Sequence, residues 1–308
     1  MIVVKENVSL KEYTTFKIGG KARYFMTIQS LEDLRDALLF ADEHKVSYVI
    51  LAGGSNVLIA DNGFDGLVIH MKNDVITMKD TNITIGAGAE LMDLILFAAR
   101  KGLGGMENMT GIPGSIGGAV RGNAAAFGTE TKDLLQSVEV LDTKTDEIVT
   151  FDVQKCHFSY RSSVFKSEGS YIVLSATFNF VKGDEAQIEQ NMYNILSKRN
   201  AKHIQNIQSA GSFFINPEVS DELQEDFHKE KGVKSRNGRV PAGWLLDLAG
   251  VYKKKIGGIQ AGETHANYFI NDGTGTAEQV MQLAAVARSR VRNEFGVQLQ
   301  EEVTYIGF

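Results

Sequence analysis

The sequence predicts a mixed α+β protein in two halves that divide near residue 182. Three observations carry this. Short apolar, strand-like runs are interspersed with capped helical patterns up to Phe180. Two glycine-rich loops in the first half each follow an apolar run. The composition then changes after Val181-Lys-Gly-Asp184, where a long polar helix connects to a smaller second half. At 308 residues the chain exceeds the usual single-domain size, which fits this division.

The first helix opens at Ser30-Leu-Glu-Asp33, which reads as a capping box, and runs from Leu31 to about His44. Leu31, Leu34, Leu38 and Ala41 recur along it at helical spacing. Tyr48-Val-Ile-Leu51 is a buried strand running into the first glycine loop, Ala52-Gly-Gly-Ser-Asn-Val57. Val57–Ile59, Leu67–Ile69 and Ile83–Ile85 are further strands, the last followed by Gly86-Ala-Gly-Ala-Glu-Leu91 and a helix to about Lys101. Gly86-Ala87-Gly88 begins like a dinucleotide fingerprint, but position 91 is leucine where the third glycine belongs. Close helix–strand packing is therefore the preferred reading of that junction. From Val138 the chain is mostly strand: Val138–Leu141, Glu147–Phe151, Tyr171–Leu174 and Thr177–Phe180.

The connector helix runs from Glu185 to about Lys202, and residues 203–275 form a second glycine-rich region. Thr276-Ala-Glu-Gln279 is again a capping box, opening an amphipathic helix to Phe295 with Gly296 suited to its C′ position. Val303–Ile306 closes the chain as a strand.

Composition excludes several functions. A net charge of −6 argues against a nucleic-acid partner, because phosphate neutralisation needs a basic face. Cys156 is the only cysteine, so no intrachain disulfide and no cysteine-based metal site is expected, and no metal is predicted. No apolar run reaches membrane-spanning length, and the N-terminus has no signal-peptide core, so a cytoplasmic protein without a membrane partner is expected. With 31 glycines and 3 prolines, ordered loops that approach a ligand are favoured over disordered linkers.

The most informative stretch is Met106–Ala119, which has Gly111-Ile-Pro-Gly at its centre. Glycine takes positive φ without strain and lets a ligand approach the backbone closely, and consecutive N–H groups can form a concave anion site. Alone, either loop reads as a tight turn. Together they point to a large phosphate-bearing cofactor.

Three polar clusters are candidates for chemistry. Arg161, within Phe158-Ser-Tyr-Arg-Ser-Ser-Val-Phe165, sits among aromatics and so suits a partly buried guanidinium with a carboxylate or phosphate partner. Ser212, within Ser209-Ala-Gly-Ser-Phe-Phe-Ile-Asn-Pro217, precedes two aromatics and could offer a hydroxyl in an apolar site. Its surroundings are not Gly-x-Ser-x-Gly, so a hydrolase nucleophile is not indicated. In Leu299-Gln-Glu-Glu-Val303 strand alternation puts Glu301 and Glu302 on opposite faces, and the residues alone do not say which faces a site.

Six motifs in register carry a family resemblance. They are Ala52-Gly-Gly-Ser-Asn-Val57, Gly111-Ile-Pro-Gly-Ser-Ile-Gly-Gly-Ala119, Tyr160-Arg161-x-Ser163-x-Phe165, Gly211-Ser-Phe-Phe-x-Asn-Pro217, Gly257-Gly258 with His265-Ala-Asn267, and Leu299-x-x-Glu302-Val303. Together they resemble the UDP-N-acetylenolpyruvoylglucosamine reductase family, flavoenzymes of bacterial peptidoglycan precursor synthesis. The likeness spans nearly the whole chain, and the direct passage from Phe180 into the connector helix matches the shorter class, which lacks a tyrosine-bearing insertion.

The resemblance implies a vanillyl-alcohol-oxidase, PCMH-type FAD fold over residues 1–182, in subdomains of about 1–70 and 71–182, and a substrate-binding domain over 183–308. Non-covalent FAD would be held by Gly53, Gly54, Ser55, Asn56 and Val57 and by Gly111, Ile112, Pro113, Gly114, Ser115, Gly117 and Gly118, its diphosphate by backbone N–H groups. Tyr160, Arg199, Lys202 and Asn216 resemble substrate-contacting positions. NADPH would reduce FAD and leave. The enolpyruvyl sugar nucleotide would then receive hydride at C3 from flavin N5 and a proton at C2 from Ser212, with Arg161 and Glu302 polarising the group. The family thereby places the functional carboxylate at Glu302. Some relatives carry cysteine at the proton-donor position. A monomer acting on small molecules is expected. The alternative is another FAD-dependent oxidoreductase of this fold acting on a sugar or hydroxy acid, which would not need the Ser212–Glu302 pair.

Departures from the family pattern fall in binding loops. The usual Met-Asn-Ala-Gly-Ala-Tyr-Gly is Gly122-Asn-Ala-Ala-Ala-Phe-Gly128 here, Lys-Gln-Pro is Lys202-His-Ile204, and Val-Ser is Ala261-Gly262.

Overall fold

The computed structural model describes residues 3–201 and 207–308. It divides into two compact units, the first made of Met1–Val8, Ala22–Gly54 and Phe64–Ala201, the second of Ser9–Lys21, Ser55–Gly63 and Lys202–Phe308.

The first unit holds two sheets. In one, strands lie in the order Lys5–Ser9, Lys21–Ile28, Phe64–Met71, Tyr48–Leu51, and the last three run parallel. Helix Leu31–Glu43 follows Lys21–Ile28 and leads to Tyr48–Leu51, the crossover that parallel strands need. Its predicted capping box is formed: Ser30 Oγ accepts from Asp33 N–H at 3.0 Å, and Asp33 Oδ2 accepts from Ser30 N–H at 3.2 Å. Leu34, Ala37 and Ala41 are its buried face. The strand read as Leu67–Ile69 extends over Phe64–Met71, and Gly66 through Met71 are all buried, as a strand covered on both faces must be.

The second sheet is antiparallel, in the order Glu147–Asp152, Leu135–Asp142, Tyr171–Asn179, Asn82–Gly86, Ile76–Lys79. Tyr171–Leu174 and Thr177–Phe180, two runs in the sequence, form one strand, Tyr171–Asn179. The break in pattern is a bulge. Glu139 pairs with Ser175 and Val140 with Val173, so Leu174 is skipped. Its carbonyl instead accepts from Asn73 Nδ2 at 2.7 Å and from Ala87 N–H at 2.9 Å, which ties down the junction before helix Leu91–Ala99. The glycines at Gly86-Ala87-Gly88 thus allow a close approach of the loop at Lys72–Asn73, where helix–strand packing was expected. An added Cβ at Gly88 would lie 2.6 Å from Asn73 N.

His70 lies on the central strand of the parallel sheet, 7% exposed and 5.5 Å from the Phe25 ring. Burial, with a smaller contribution from Lys72, pushes its imidazole down to about 4. Below pH 6.5 the unfolded chain binds this proton before the folded one, so the stabilisation from a neutral His70 is complete above pH 6.5 and is lost as pH falls towards 4. The expected loss is about 2–3 kcal/mol. Urea unfolding of His70→Gln between pH 7 and pH 4 should show a flatter profile than the parent; an identical slope would rule out His70 as the titrating group.

The second unit is built on helix Ala277–Phe295 and an antiparallel sheet of Lys255–Ile256, Ile259–Ala261 and Phe269–Asn271. Thr276 Oγ1 accepts from Gln279 N–H at 3.2 Å, completing the second predicted capping box, and Gly296 ends the helix at φ 68°. Asp61 adds a charged cap, accepting from Ala277 N–H at 2.8 Å and Glu278 N–H at 3.1 Å. The closing strand Thr304–Ile306 pairs in parallel with Val57–Ile59. The core gathers Phe213, Phe214, Phe269, Trp244, Leu245 and Leu246. Helices Asp221–Lys231 and Ala242–Leu248 also lie within the stretch the sequence showed only as glycine-rich.

Among the described residues no helix is long and apolar enough to cross a membrane. No group of three or more His, Cys, Asp or Glu side chains among them could hold a metal ion.

Candidate active site

In the first unit the two glycine loops meet at their backbones. A Cβ added to Gly53 would stand 2.9 Å from Gly114 Cα and 3.1 Å from Ser115 N. Gly54 takes φ 58°, Gly111 φ 79° and Gly114 φ 126°, conformations that favour glycine. Most of the second loop is anchored to the strand–helix junction. Leu91 N–H donates to Gly114 O, Ile116 N–H to Ala89 O and Gly117 N–H to Ala87 O, each at 2.9 Å. Gly118 N–H donates to Ser115 Oγ at 3.2 Å, Ile112 N–H to Met109 O at 3.2 Å, and Gly111 N–H to Met92 Sδ at 3.0 Å.

These bonds correct the expectation that the whole Gly111–Gly118 stretch offers its N–H groups to a ligand. Pro113 has none, and those of Gly111, Ile112, Gly117 and Gly118 are committed within the unit. Among the described residues, the N–H groups of Gly53, Gly54, Gly114 and Ser115 have no acceptor. Thr110 Oγ1, fully buried beside this loop, also has no partner among the described residues. Clustered donors on two glycine-rich backbones, with an orphaned hydroxyl beside them, fit a diphosphate-bearing cofactor such as FAD. Gly53→Ala forces a side chain into the facing backbone and is expected to weaken flavin binding about tenfold to a hundredfold, by overpacking of about 1–3 kcal/mol. Gly169→Ala, with nothing within 4 Å of the added methyl, is the matched control. Flavin retention during dialysis reads the difference, and equal retention would remove the contact from the account.

Arg161 also lies in the first unit, at the tip of a two-residue turn. Ser159 N–H donates to Ser162 O at 3.0 Å and Ser162 N–H to Ser159 O at 3.2 Å, leaving Tyr160 and Arg161 between them. Arg161 adopts φ 55°, a left-handed conformation uncommon for a residue with a side chain. Asn123 Nδ2 donates to Ser159 O at 3.2 Å and Ser163 Oγ to Arg121 O at 2.7 Å, while Lys166 Nζ donates to Arg161 O at 3.1 Å. The guanidinium carbon stands 5.8 Å from the Tyr160 ring centroid, and both terminal nitrogens lie 3.4 Å from Ala125 O. The turn is thus clamped from several sides with its cation half-buried. Nearby Cys156 is fully buried, its thiol pushed up to about 12 by burial and by Asp152, and it donates to Asp152 O at 3.1 Å. It is an inert packing group.

Arg199, on helix Glu185–Ala201, is 7% exposed and packs over the second glycine loop, its Nε 3.1 Å from where a Gly111 Cβ would stand. Lys202 and the departure at His203-Ile204 lie outside the described residues. Phe127, where the family carries tyrosine, is 42% exposed in a hairpin formed by Ala125–Ala126 and Thr129–Glu130.

In the second unit Ser212 begins an extended segment held on both sides. On one side Ser212 bridges to Tyr268, Phe213 N–H donates to Asn267 O at 2.7 Å, and the Asn267 side chain brackets Phe214, accepting from its N–H at 2.9 Å and donating to its carbonyl at 2.8 Å. On the other, Phe214 bridges to Glu301, Glu302 N–H donates to Phe213 O at 2.8 Å and Ile215 N–H to Gln300 O at 3.0 Å. The Phe213, Phe214 and Phe269 rings pack beneath, with Phe213 and Phe269 stacked at 4.6 Å. The half-buried Ser212 hydroxyl donates to no group among the described residues. Serine and carboxylate are therefore presented by neighbouring, paired segments.

The two glutamates differ. Glu301 pairs with Arg288 at 2.8 Å, and burial, followed by the Glu301 charge, raises the Tyr305 phenol. Glu302 is held through its backbone, its carbonyl accepting from Asn56 Nδ2 at 3.4 Å, while Asn56 O accepts from Thr304 N–H at 3.0 Å. Asn56, expected at the cofactor, thus ties Ser55–Val57 to the Glu302 segment. Asn216 Oδ1 accepts from Ala242 N–H at 3.0 Å at the start of helix Ala242–Leu248, and its carbonyl accepts from Arg239. Sequence reasoning gave Asn267 no role although it lay within a quoted motif. A buried amide two residues after His265 was the available signal.

Comparison with known proteins gives one answer. Residues 202–306 match the family model for the C-terminal domain of UDP-N-acetylenolpyruvoylglucosamine reductase, and residues 22–152 match that for an FAD binding domain. A UDP-N-acetylenolpyruvoylglucosamine reductase from Solibacter usitatus is 35% identical over 306 residues, covering 99% of this chain and 97% of the relative. One from Carboxydothermus hydrogenoformans is 36% identical over 306 residues, covering 99% and 94%. The crystal structure of the Thermus caldophilus reductase superposes with a TM-score of 0.77 at 28% identity, covering 99% of each chain. The fold is therefore the PCMH-type FAD-binding fold with a further α+β domain.

Proposed function

Because the chain belongs to the UDP-N-acetylenolpyruvoylglucosamine reductase family, we propose that Arg161, Ser212 and Glu302 carry its chemistry on the enolpyruvyl group. The enzyme is an FAD-dependent oxidoreductase that uses NADPH to reduce UDP-N-acetylglucosamine enolpyruvate in peptidoglycan precursor synthesis. Bound at the glycine loops, FAD would supply the two-electron chemistry that links NADPH oxidation to hydride addition at C3 of the enolpyruvyl group.

The residues do the rest. Hydride addition at C3 builds negative charge on C2 and the carboxylate, and Arg161 supplies fixed positive charge for it. Its clamped turn holds the guanidinium in one place, so little reorganisation is needed as charge develops. Ser212 gives its proton to C2. Glu302 orients the proton relay or the polarising cation. The observation that carries this reading is the 2.8 Å bond from Glu302 N–H to Phe213 O, which fixes the carboxylate residue opposite the neighbour of Ser212. The commitment of Glu301 to Arg288 supports Glu302 as the functional one.

The reading assigns FAD to residues 1–182, through Gly53, Gly54, Gly114 and Ser115 as donors and Gly111, Ile112, Pro113, Gly117 and Gly118 as backbone shape, with Ser55, Asn56 and Val57 continuing the first loop. Residues 183–308 take the sugar nucleotide, and Tyr160, Arg199, Lys202 and Asn216 are assigned to its contacts. The reading takes the enzyme as a cytoplasmic monomer, the cytoplasm being where NADPH and nucleotide sugars are found.

An anaerobic absorption spectrum of the purified protein tests the reading. Flavin bands that bleach with NADPH and return on addition of the enolpyruvyl sugar nucleotide are expected. Bands that return only with oxygen would favour an oxidase of the same fold, and a protein that neither holds nor takes up flavin would overturn the assignment of the glycine loops.

A further inference from the structure

Glu301 is engaged with the long helix of the second unit. Its carboxylate, 18% exposed, lies 2.8 Å from Arg288 Nη1 on helix Ala277–Phe295. The Tyr305 phenol lies within reach of the same charge: burial, followed by the Glu301 carboxylate, pushes that phenol up, which keeps it protonated. Tyr305 is itself fixed, in register with Leu58 in the parallel pair Thr304–Ile306 with Val57–Ile59. Successive side chains of an extended segment point to opposite sides. A Glu301 fastened to the helix through Arg288, with Tyr305 beside it on the closing strand, therefore commits Glu302 to the other side.

We propose that Arg288, Glu301 and Tyr305 form a positioning clamp that sets the direction of the Glu302 carboxylate during reduction of the enolpyruvyl group. The inference rests on the assignment of Glu302 as a catalytic residue. The three clamp residues touch neither substrate nor cofactor in this account. They act through the backbone that joins Glu301 to Glu302, as the supporting groups of a preorganised site do. Helix Ala277–Phe295 is rigidly seated, with six buried residues and caps at both ends, so it is a fixed point for the clamp. Ion-pair strength is secondary here: Arg288 is 39% exposed, and a pair of that kind contributes little stability on its own. What it contributes is orientation.

The test uses the flavin-loaded enzyme and single-turnover kinetics. Arg288→Met and Glu301→Gln should leave flavin reduction by NADPH unchanged and slow flavin reoxidation by the enolpyruvyl sugar nucleotide about tenfold to a hundredfold, the range expected when a catalytic group is misplaced by about an ångström. The pH profile of reoxidation should broaden, affinity of the oxidised enzyme for the sugar nucleotide should be unchanged by calorimetry, and Arg288→Lys should restore most of the rate. In a Glu302→Gln background Arg288→Met should add nothing, because the group it positions is gone. A parent-like reoxidation rate in Arg288→Met overturns the clamp, as does a loss that simply multiplies that of Glu302→Gln. If Glu302→Gln itself reoxidises at the parent rate, the assignment of Glu302 fails instead. Should Arg288→Met lose its flavin or fold poorly, Tyr305→Phe removes the hydroxyl near Glu301 while keeping the ring and carries the same expectations.

Discussion

Ser212→Ala is expected to oxidise NADPH against bound flavin at the parent rate while forming product about 10²–10⁴ times more slowly, the usual contribution of a positioned proton donor. The size of the effect follows from the chemistry. Charge delivered to the enolpyruvyl group makes C2 strongly basic, and without a nearby acid that carbon must wait for water. A serine hydroxyl is a weak acid, so it can act only where the carbon is more basic still and where its own oxyanion is stabilised. The backbone around it is fixed on both sides, by Asn267 and Tyr268 and by Glu301 and Glu302, so the alanine variant should keep the fold and its affinity for substrate. Ser212→Cys should recover much of the rate, because a thiol keeps the proton and gives it up more readily. Steady-state product formation with the sugar nucleotide in excess checks both variants. Equal rates for parent and alanine enzymes would remove Ser212 from the mechanism.

Arg161→Lys is expected to lower the same step about 10²–10³-fold despite keeping the charge. Arginine presents a planar fork with several donors, whereas lysine is a flexible point charge, so the two are not equivalent where a carboxylate and developing enolate must be held together. The turn that carries Arg161 is built for one geometry. The residue sits at φ 55°, its carbonyl is held by Lys166, and the flanking Ser159 is fixed by Asn123. Such a backbone is costly, by about 1–3 kcal/mol, and persists where its surroundings over-determine it. Arg161→Ala should lose more activity than Arg161→Lys without further loss of stability. A lysine variant at the parent rate would show that charge alone suffices.

Local signals in the chain were reliable where the responsible contacts are local. The helices opened by Ser30 and Thr276 could be read because each capping box closes within four residues, and both bonds form as the spacing requires. Helix Asp221–Lys231 escaped because Phe227 is its one buried residue, which leaves almost no periodicity to detect; its Ser220 cap and Gly232 stop were the surviving clues. Helix Ala242–Leu248 is too short, and its five consecutive buried residues resemble a strand. The bulge at Leu174 broke a single strand into two runs because its cause, Asn73, lies 101 residues away.

The candidate site divides in the same way. Arg161 and Ser212 stood out through their immediate neighbours. Glu301 and Glu302 could not be separated by alternation, which says only that they diverge; their distinction depends on Arg288, on a helix that packs beside them. Asn56 looked like part of an anion loop by composition, yet its side chain reaches a carbonyl 246 positions later. The second glycine loop read as a row of donors, but five of its N–H groups are taken by the unit that carries it. Composition identifies a loop fit for close approach. Which of its groups remain available is settled only by what the rest of the chain accepts.

The central claim is that Arg161, Ser212 and Glu302 act on the enolpyruvyl group and not on the uptake of reducing equivalents. Anaerobic stopped-flow absorbance at the flavin band, with Arg161→Lys, Ser212→Ala and Glu302→Gln run beside the parent, tests it most directly. All three should bleach with NADPH at the parent rate, and all three should regain their absorbance slowly when mixed with the enolpyruvyl sugar nucleotide. Slowing of both phases to the same degree, or a second phase at the parent rate in any of the three, would contradict it.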